Sequence, residues 1–142
     1  MKIGRKDIMN RIALVTGASS GIGEATANRL ARAGYKVYGT SRRGAQGCQR
    51  SFAMLALDVT SDESVATAVA EVLRLDGRID LLVNNAGFSV APAGAEESSI
   101  EQAKAILGTN FVGLVRMTGA VFALHATPRR RGGKGEGGAL TA

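Results

Sequence analysis

Apolar residues fall along this chain in short runs separated by polar and glycine-rich breaks. The run RIALVTG from Arg11 is aliphatic, ends at glycine and predicts a buried strand. In IGEATANRLARAG, the positions Ile22, Thr26, Leu30 and Ala33 recur at near-helical spacing, and Gly34 is placed to end the helix. YKVYGT predicts a second strand, and SFAMLALDVT a third that ends near Asp58. Thr60 or Ser61 can cap the next helix, with Asp62 and Glu63 in its first turn and Val65, Val69, Val72 and Leu73 as its apolar stripe. IDLLVNNAG predicts a fourth strand, and VAPAGAEESS has the composition of a loop. Ile100 to His125 is helix-like, with a break near Gly108 and one face made of Phe111, Leu114, Val115, Thr118 and Phe122.

The order strand, helix, strand, strand, helix, strand, helix predicts an α/β fold with a mostly parallel sheet and right-handed crossovers. The second and third strands have no convincing helix between them, although RRGAQGCQR has room for a short turn.

Composition narrows the function classes. At 142 residues the chain has one-domain length. The formal net charge of +6 is uneven: residues 126–142 hold four Lys or Arg and one acid, half of the basic excess. Solubility or an anionic ligand explains that charge as well as a polyanion does. No basic patch interleaved with aromatics supports nucleic acid, which leaves a basic-tail nucleic-acid-associated protein as the weakest reading. Cys48 is the only cysteine, which excludes an intrachain disulfide and a cysteine-based metal site and suits a cytoplasmic protein. No uninterrupted apolar run approaches the roughly 20 residues of a bilayer span, so no membrane partner is expected.

The segment TGASSGIG places Gly17, Gly21 and Gly23 directly between a strand and a helix, with Ser19, Ser20 and Ile22 among them. Small residues there let a phosphate approach the backbone while the amides at the helix start meet its charge. A plain structural turn is the alternative. The spacing differs from G-x-G-x-x-G, and no Gly-Lys-Ser/Thr follows, so nucleoside triphosphate hydrolysis has little support. Asp58 and Val59 close the third strand, and Asn84, Asn85, Ala86 and Gly87 close the fourth. In a doubly wound sheet these strand ends converge beside the glycine turn. An Asp there can accept from an adenine amino group, and the asparagines can hold a strand edge near a nucleotide. Taken singly, each also reads as an ordinary turn.

As a set, TGASSGIG, Asp58-Val59, NNAG, and Asn110 followed by Gly113 resemble the classical short-chain dehydrogenase/reductase family over about Arg11 to His125. The resemblance implies a Rossmann-like doubly wound sheet that binds NAD or NADP and exchanges hydride with an alcohol or carbonyl substrate. At the end of the second strand, YGTSRR has Thr40 and Ser41 where an NAD site commonly has an acid, with Arg42 and Arg43 next. An arginine fork pairs with a 2′-phosphate, which favours NADP over NAD; a solvent-facing basic loop is the alternative.

The resemblance also implies a catalytic serine, a tyrosine four residues before a lysine, and an assisting asparagine matched here by Asn110. The first three are missing from these 142 residues: Tyr35 and Tyr38 are the only tyrosines, and neither has lysine four residues later. His125, the lone histidine, has no orienting acid nearby. The expectation is therefore a partial Rossmann domain over residues 1–125, with only the N-terminal portion of the fold complete, and a disordered Gly/Arg-rich tail over 126–142. Such a chain would be truncated or frameshifted after about His125, inactive by itself, and derived from a homo-oligomeric NADP-dependent parent. A non-catalytic NADP-binding or regulatory module is the alternative.

Overall fold

The computed structural model describes residues 9–45, 49–89 and 98–126. Cys48, most of the predicted 90–99 loop and the tail from 127 onward lie outside the described residues.

Strands β1 (Ile12–Val15), β2 (Lys36–Ser41), β3 (Ala53–Ala56) and β4 (Leu81–Val83) form one parallel sheet in the order β3-β2-β1-β4. Leu14 of β1 sits in register with Tyr38 of β2 and Leu82 of β4. Helix α1 (Gly21–Arg32) links β1 to β2, and α2 (Asp62–Asp76) links β3 to β4. Helix α3 (Ile100–Leu107), a π-helical turn (Gly108–Val112) and α4 (Gly113–Ala126) follow. This is the expected Rossmann-like α/β arrangement, and the π turn lies where Gly108 predicts a break.

Burial on both faces explains why β1 reads as a continuous apolar run rather than an alternating one. Ala13 and Val15 pack with Ala27, Val37 and Phe52 on the α1 side, whereas Ile12 and Leu14 pack with Val65, Val69, Val72 and Met117 on the other. The α2 stripe falls as predicted, with Ala68 added to it. Its cap is Ser61, whose hydroxyl accepts from Ser64 N at 3.2 Å; Thr60 instead donates to Asp58.

Two predicted helix faces are corrected. Helix α1 buries Gly23 and Ala27, with Leu30 and Ala31 partly covered, and leaves Ile22 80% exposed. The helix must approach the β1 loop closely, and only the glycine side permits that. Across the π turn and α4, the buried positions among the described residues are Gly113, Met117 and Val121, while Phe111, Leu114, Val115 and Phe122 face outward, Phe122 being 67% exposed. Close approach fixes this face at Gly113, where a Cβ would lie 2.7 Å from Val59 Cγ2, and Met117 and Val121 follow it into the core at intervals of four residues. The structure also revises the hydropathy reading. Across the π turn, Ile100–Ala123 is one 24-residue helical stretch long and apolar enough by length and composition to cross a membrane. It sums apolar residues that are not consecutive, and Arg116 within it bonds the Val59 carbonyl at 2.8 Å.

At the N-terminal end of the sheet, Asp76 accepts from Lys36 Nζ at 2.7 Å and from the Tyr38 hydroxyl. Those two hydrogen bonds, Lys36 first, hold the Asp76 carboxyl below the usual carboxylate range. A depressed native pKa contributes stability that is present above the unfolded value, about 3.9, and lost as pH falls through the native value. The urea midpoint should therefore drop below about pH 4. Asp76→Asn should be less stable than the parent at pH 7 yet show a shallower acid decline; parallel declines in the two proteins would remove Asp76 from the account.

Candidate nucleotide-binding site

The strand order reverses direction between β1 and β4, and ligands of open α/β sheets sit beyond the strand ends at such a switch point. There the chain leaves β1 through Thr16 and Gly17. Gly17 has φ +66°, and a Cβ on it would lie 2.9 Å from Ala86 Cα. A Cβ on Gly23 would lie 2.8 Å from the Gly17 carbonyl carbon and would collide with that carbonyl's oxygen and with Asn85 Nδ2. These glycines let α1, the β1 loop and the β4 loop meet with backbone against backbone.

Buried Thr16 fastens the same junction. Its hydroxyl accepts from Asn85 N at 3.0 Å and Ala86 N at 2.9 Å, and it donates to Val83 O at 3.4 Å. The Asn85 side-chain amide answers by donating to the Thr16 and Gly17 carbonyls, each at 3.1 Å.

Helix α1 differs from its neighbours at its start. Ser61 and Ser99 cap α2 and α3 through their hydroxyls, but Ser20 makes no side-chain cap bond to α1. The first intrahelical bond runs from Glu24 N to Ser20 O, so the amides before it face the cleft end of the helix without a cap. An anion is the natural partner for such a terminus.

A cleft of about 270 Å³ gathers Gly17, Ser19, Ser20, Ser41, Arg42, Asp58, Val59, Ala86 and Gly87, together with Thr40, Thr60, Phe88 and Thr109. Asp58 Oδ1 accepts from the Thr60 hydroxyl at 2.7 Å and from Thr60 N at 2.9 Å. The hydroxyl bond first, then the amide, hold its carboxyl below the usual range, so it is an anionic acceptor at neutral pH. The Thr40 hydroxyl is buried without a partner among the described residues. A second recess, about 480 Å³, shares Ser19, Ser41 and Arg42 with the first and adds Arg43, Gly44, Arg50 and Met54. A tight turn shapes it: Gly44 N donates to Ser41 O at 3.1 Å, and the Ser41 hydroxyl donates to Gly44 O at 3.2 Å.

Not every predicted residue joins the cleft. Asn84 donates to the Thr118 hydroxyl at 3.1 Å and lines a separate groove beside β4 with Leu82, Val121 and Phe122. Asn110, in the π turn, spends its amide on one backbone: Nδ2 donates to Phe88 O and Oδ1 accepts from Phe88 N, both at 2.9 Å. Gly87 leaves room for that clamp, since a Cβ there would meet Asn110 Oδ1 at 3.0 Å. Tyr38 lies away from the cleft, buried, with its hydroxyl donating to Asp76; burial first, then that bond, push its pKa up. Thr16, Phe88 and Arg50 are site residues that sequence reasoning missed. Thr16 opens the quoted TGASSGIG segment, whereas nothing local marks the other two.

A parallel sheet with a glycine cradle, an uncapped helix start and a flanking basic recess places the chain in the doubly wound, Rossmann-like α/β class. Comparison with known proteins narrows it further. A model of the short chain dehydrogenase family matches residues 11–134. The chain is 41% identical over 120 residues to 3-ketodihydrosphingosine reductase of Bacteroides thetaiotaomicron, covering 84% of this chain and 44% of that protein. Among solved structures, a Brucella melitensis 3-ketoacyl-(acyl-carrier-protein) reductase complexed with NADH matches at 34% identity and TM-score 0.76, over 82% of this chain and 50% of that one. Ligand-free aldohexose dehydrogenase of Thermoplasma acidophilum matches at 28% identity and TM-score 0.77, over 85% and 46%. The chain belongs to the short-chain dehydrogenase family, and it spans about half the length of these relatives.

Proposed function

We propose that this chain binds NADP and supplies the cofactor-holding part of an oxidoreductase acting on an alcohol or carbonyl compound. The observation that carries the preference for NADP is the basic recess at the end of β2, where Ser41, Arg42 and Arg43 stand and no acid does. A carboxylate at that place would favour ribose hydroxyls and repel a 2′-phosphate, whereas a guanidinium does the reverse. The Brucella relative holds NADH, so family membership alone leaves this choice open.

In this reading the α1 amides between Gly17 and Gly23 would hold the pyrophosphate, Asp58 would accept from the adenine, and Ala86 and Gly87 would border the nicotinamide side. Ile22, 80% exposed, lines neither recess. The cofactor, when bound, supplies the hydride; the chain's residues bind and orient it. The names of the relatives, two reductases and a dehydrogenase, support a carbonyl or alcohol as the substrate class.

These 142 residues hold the cofactor without turning it over. Reduction of a carbonyl needs a proton donor beside the developing alkoxide. Tyr38 is committed to Asp76 at the opposite end of the sheet, and Asn110 to Phe88. Purified chain mixed with NADPH and a panel of carbonyl compounds should show no enzyme-dependent oxidation; clear turnover would overturn this part of the reading.

Calorimetric titration tests the cofactor choice. NADPH should bind at least about tenfold more tightly than NADH, as one charge-assisted contact to phosphate allows. Arg42→Gln with Arg43→Gln should narrow that difference. Equal binding of the two cofactors by the unsubstituted chain would refute the assignment.

A further inference from the structure

The β2–β3 connection has no described helix, yet its return leg brings a third arginine to the recess. Arg50 precedes β3 by three positions and reaches across to α1. Its Nη2 donates to the Ser19 carbonyl at 3.0 Å, its Nη1 pairs with Glu24 in the first turn of α1, and its guanidinium lies 5.7 Å from the Phe52 ring centroid. The side chain is only 14% exposed. Arg42 and Arg43 are exposed and line the same space.

These contacts make Arg50 unlike its two neighbours. An exposed arginine loses rotamer freedom when it grips a phosphate and is screened by water and salt. Arg50 is already held by Phe52 and the Ser19 carbonyl, so little ordering remains to be done when an anion arrives. A guanidinium has five N–H donors, and contacts with the described residues engage two of them. Glu24 is the acid paired with it, so the recess keeps a surplus of positive charge suited to a phosphate monoester dianion.

We propose that Arg50 is the pre-organised residue that selects a 2′-phosphorylated adenosine at this recess, and that Glu24 is the internal anion against which that phosphate competes. This rests on the NADP reading above and adds to it a residue from a different segment, together with a residue that opposes binding. Arg50 reads the phosphate and at the same time steadies the Ser19 turn. Glu24 weakens the phosphate contact by sharing the same guanidinium.

The test uses two fragments that differ only by the phosphate, 2′,5′-ADP and 5′-AMP, titrated calorimetrically into the full chain. The unsubstituted protein should prefer 2′,5′-ADP. Arg50→Gln should cut the ratio of the two affinities by about tenfold, and Arg50→Lys should recover part of it. Glu24→Gln, which leaves the arginine in place, should raise the ratio about threefold by removing the competing anion. Circular dichroism confirms that each variant is folded. A preference for 2′,5′-ADP that survives Arg50→Gln, including an equal loss for both fragments, would reduce Arg50 to a prop for the turn and overturn the proposal while leaving the NADP reading intact. A lower ratio in Glu24→Gln would overturn the competition. Equal binding of both fragments by the unsubstituted chain would sink the NADP reading and this proposal together.

Discussion

Gly23→Ala is expected to lower nucleotide affinity by at least about a hundredfold and to destabilise the fold by about 3 kcal/mol, the upper part of the usual cost of overpacking. The added methyl would collide with the Gly17 carbonyl oxygen and with Asn85 Nδ2, and lie 2.8 Å from the Gly17 carbonyl carbon. Neither neighbour is a flexible chain end. Gly17 is backbone at a left-handed φ, and Asn85 Nδ2 is held by two carbonyls. Relief requires α1 to move away from the β1 loop, which carries its N-terminal amides away from where a pyrophosphate would lie. Gly21→Ala separates strain from collision: a Cβ there meets nothing within 4 Å, but φ is +58°. It should cost about 1–2 kcal/mol with a smaller loss of affinity. Thermal unfolding and NADPH calorimetry read both effects, and a Gly23→Ala protein that melts and binds like the parent would remove the close-approach argument.

Thr16→Val is expected to cost about 2–6 kcal/mol, from the loss of the shared acceptor of two partly buried amides at about 1–3 kcal/mol each. The exchange keeps shape and volume, so packing changes little, and the penalty is one of hydrogen bonding. Asn85 N and Ala86 N lose their acceptor at 3.0 and 2.9 Å. Thr16→Ser, which restores the oxygen, should recover most of the stability. Urea denaturation provides the measurement, and a valine variant within 0.5 kcal/mol of the parent, an ordinary surface-substitution effect, would show that this junction is not held as described. The valine variant should also bind NADPH more weakly, because the residues at 85–87 border the cleft.

The two substitutions probe one junction that was only half visible beforehand. The glycines of TGASSGIG mark a tight strand-to-helix turn in any reading, because their spacing and their neighbours are local. That Thr16 would serve two amides 69 and 70 positions away is a property of the folded sheet, set when β4 pairs beside β1. Asn84 and Asn85 show the same division. Both belong to NNAG, yet one turns toward Thr118 and the other toward Gly17, and adjacent residues at a strand end point to opposite faces.

The helix faces fail in an instructive way. In α1 the larger residues suggest a buried stripe through Ile22, and across the π turn and α4 one through Phe111 and Phe122. Helix α1 instead turns Gly23 and Ala27 inward, and α4 turns Gly113 inward together with Met117 and Val121. Hydrophobicity favours burying the largest side chains, but close backbone approach at a parallel sheet favours the smallest. That choice depends on distance between elements, which periodicity does not carry. Arg50 illustrates the limit again, since it lies in a connection with no helical or strand pattern and acquires its partners 26 and 31 residues away.

Local pattern thus determines the strand and helix order, the glycine turn, the α2 stripe and the break at Gly108, because each depends on residues within a few positions of one another. The tertiary structure alone decides which face each helix presents, which asparagine reaches the glycine turn, and how arginines from two ends of the β2–β3 connection come to share one recess. Those outcomes require strands distant in sequence to pair first, and only the assembled sheet brings their ends together.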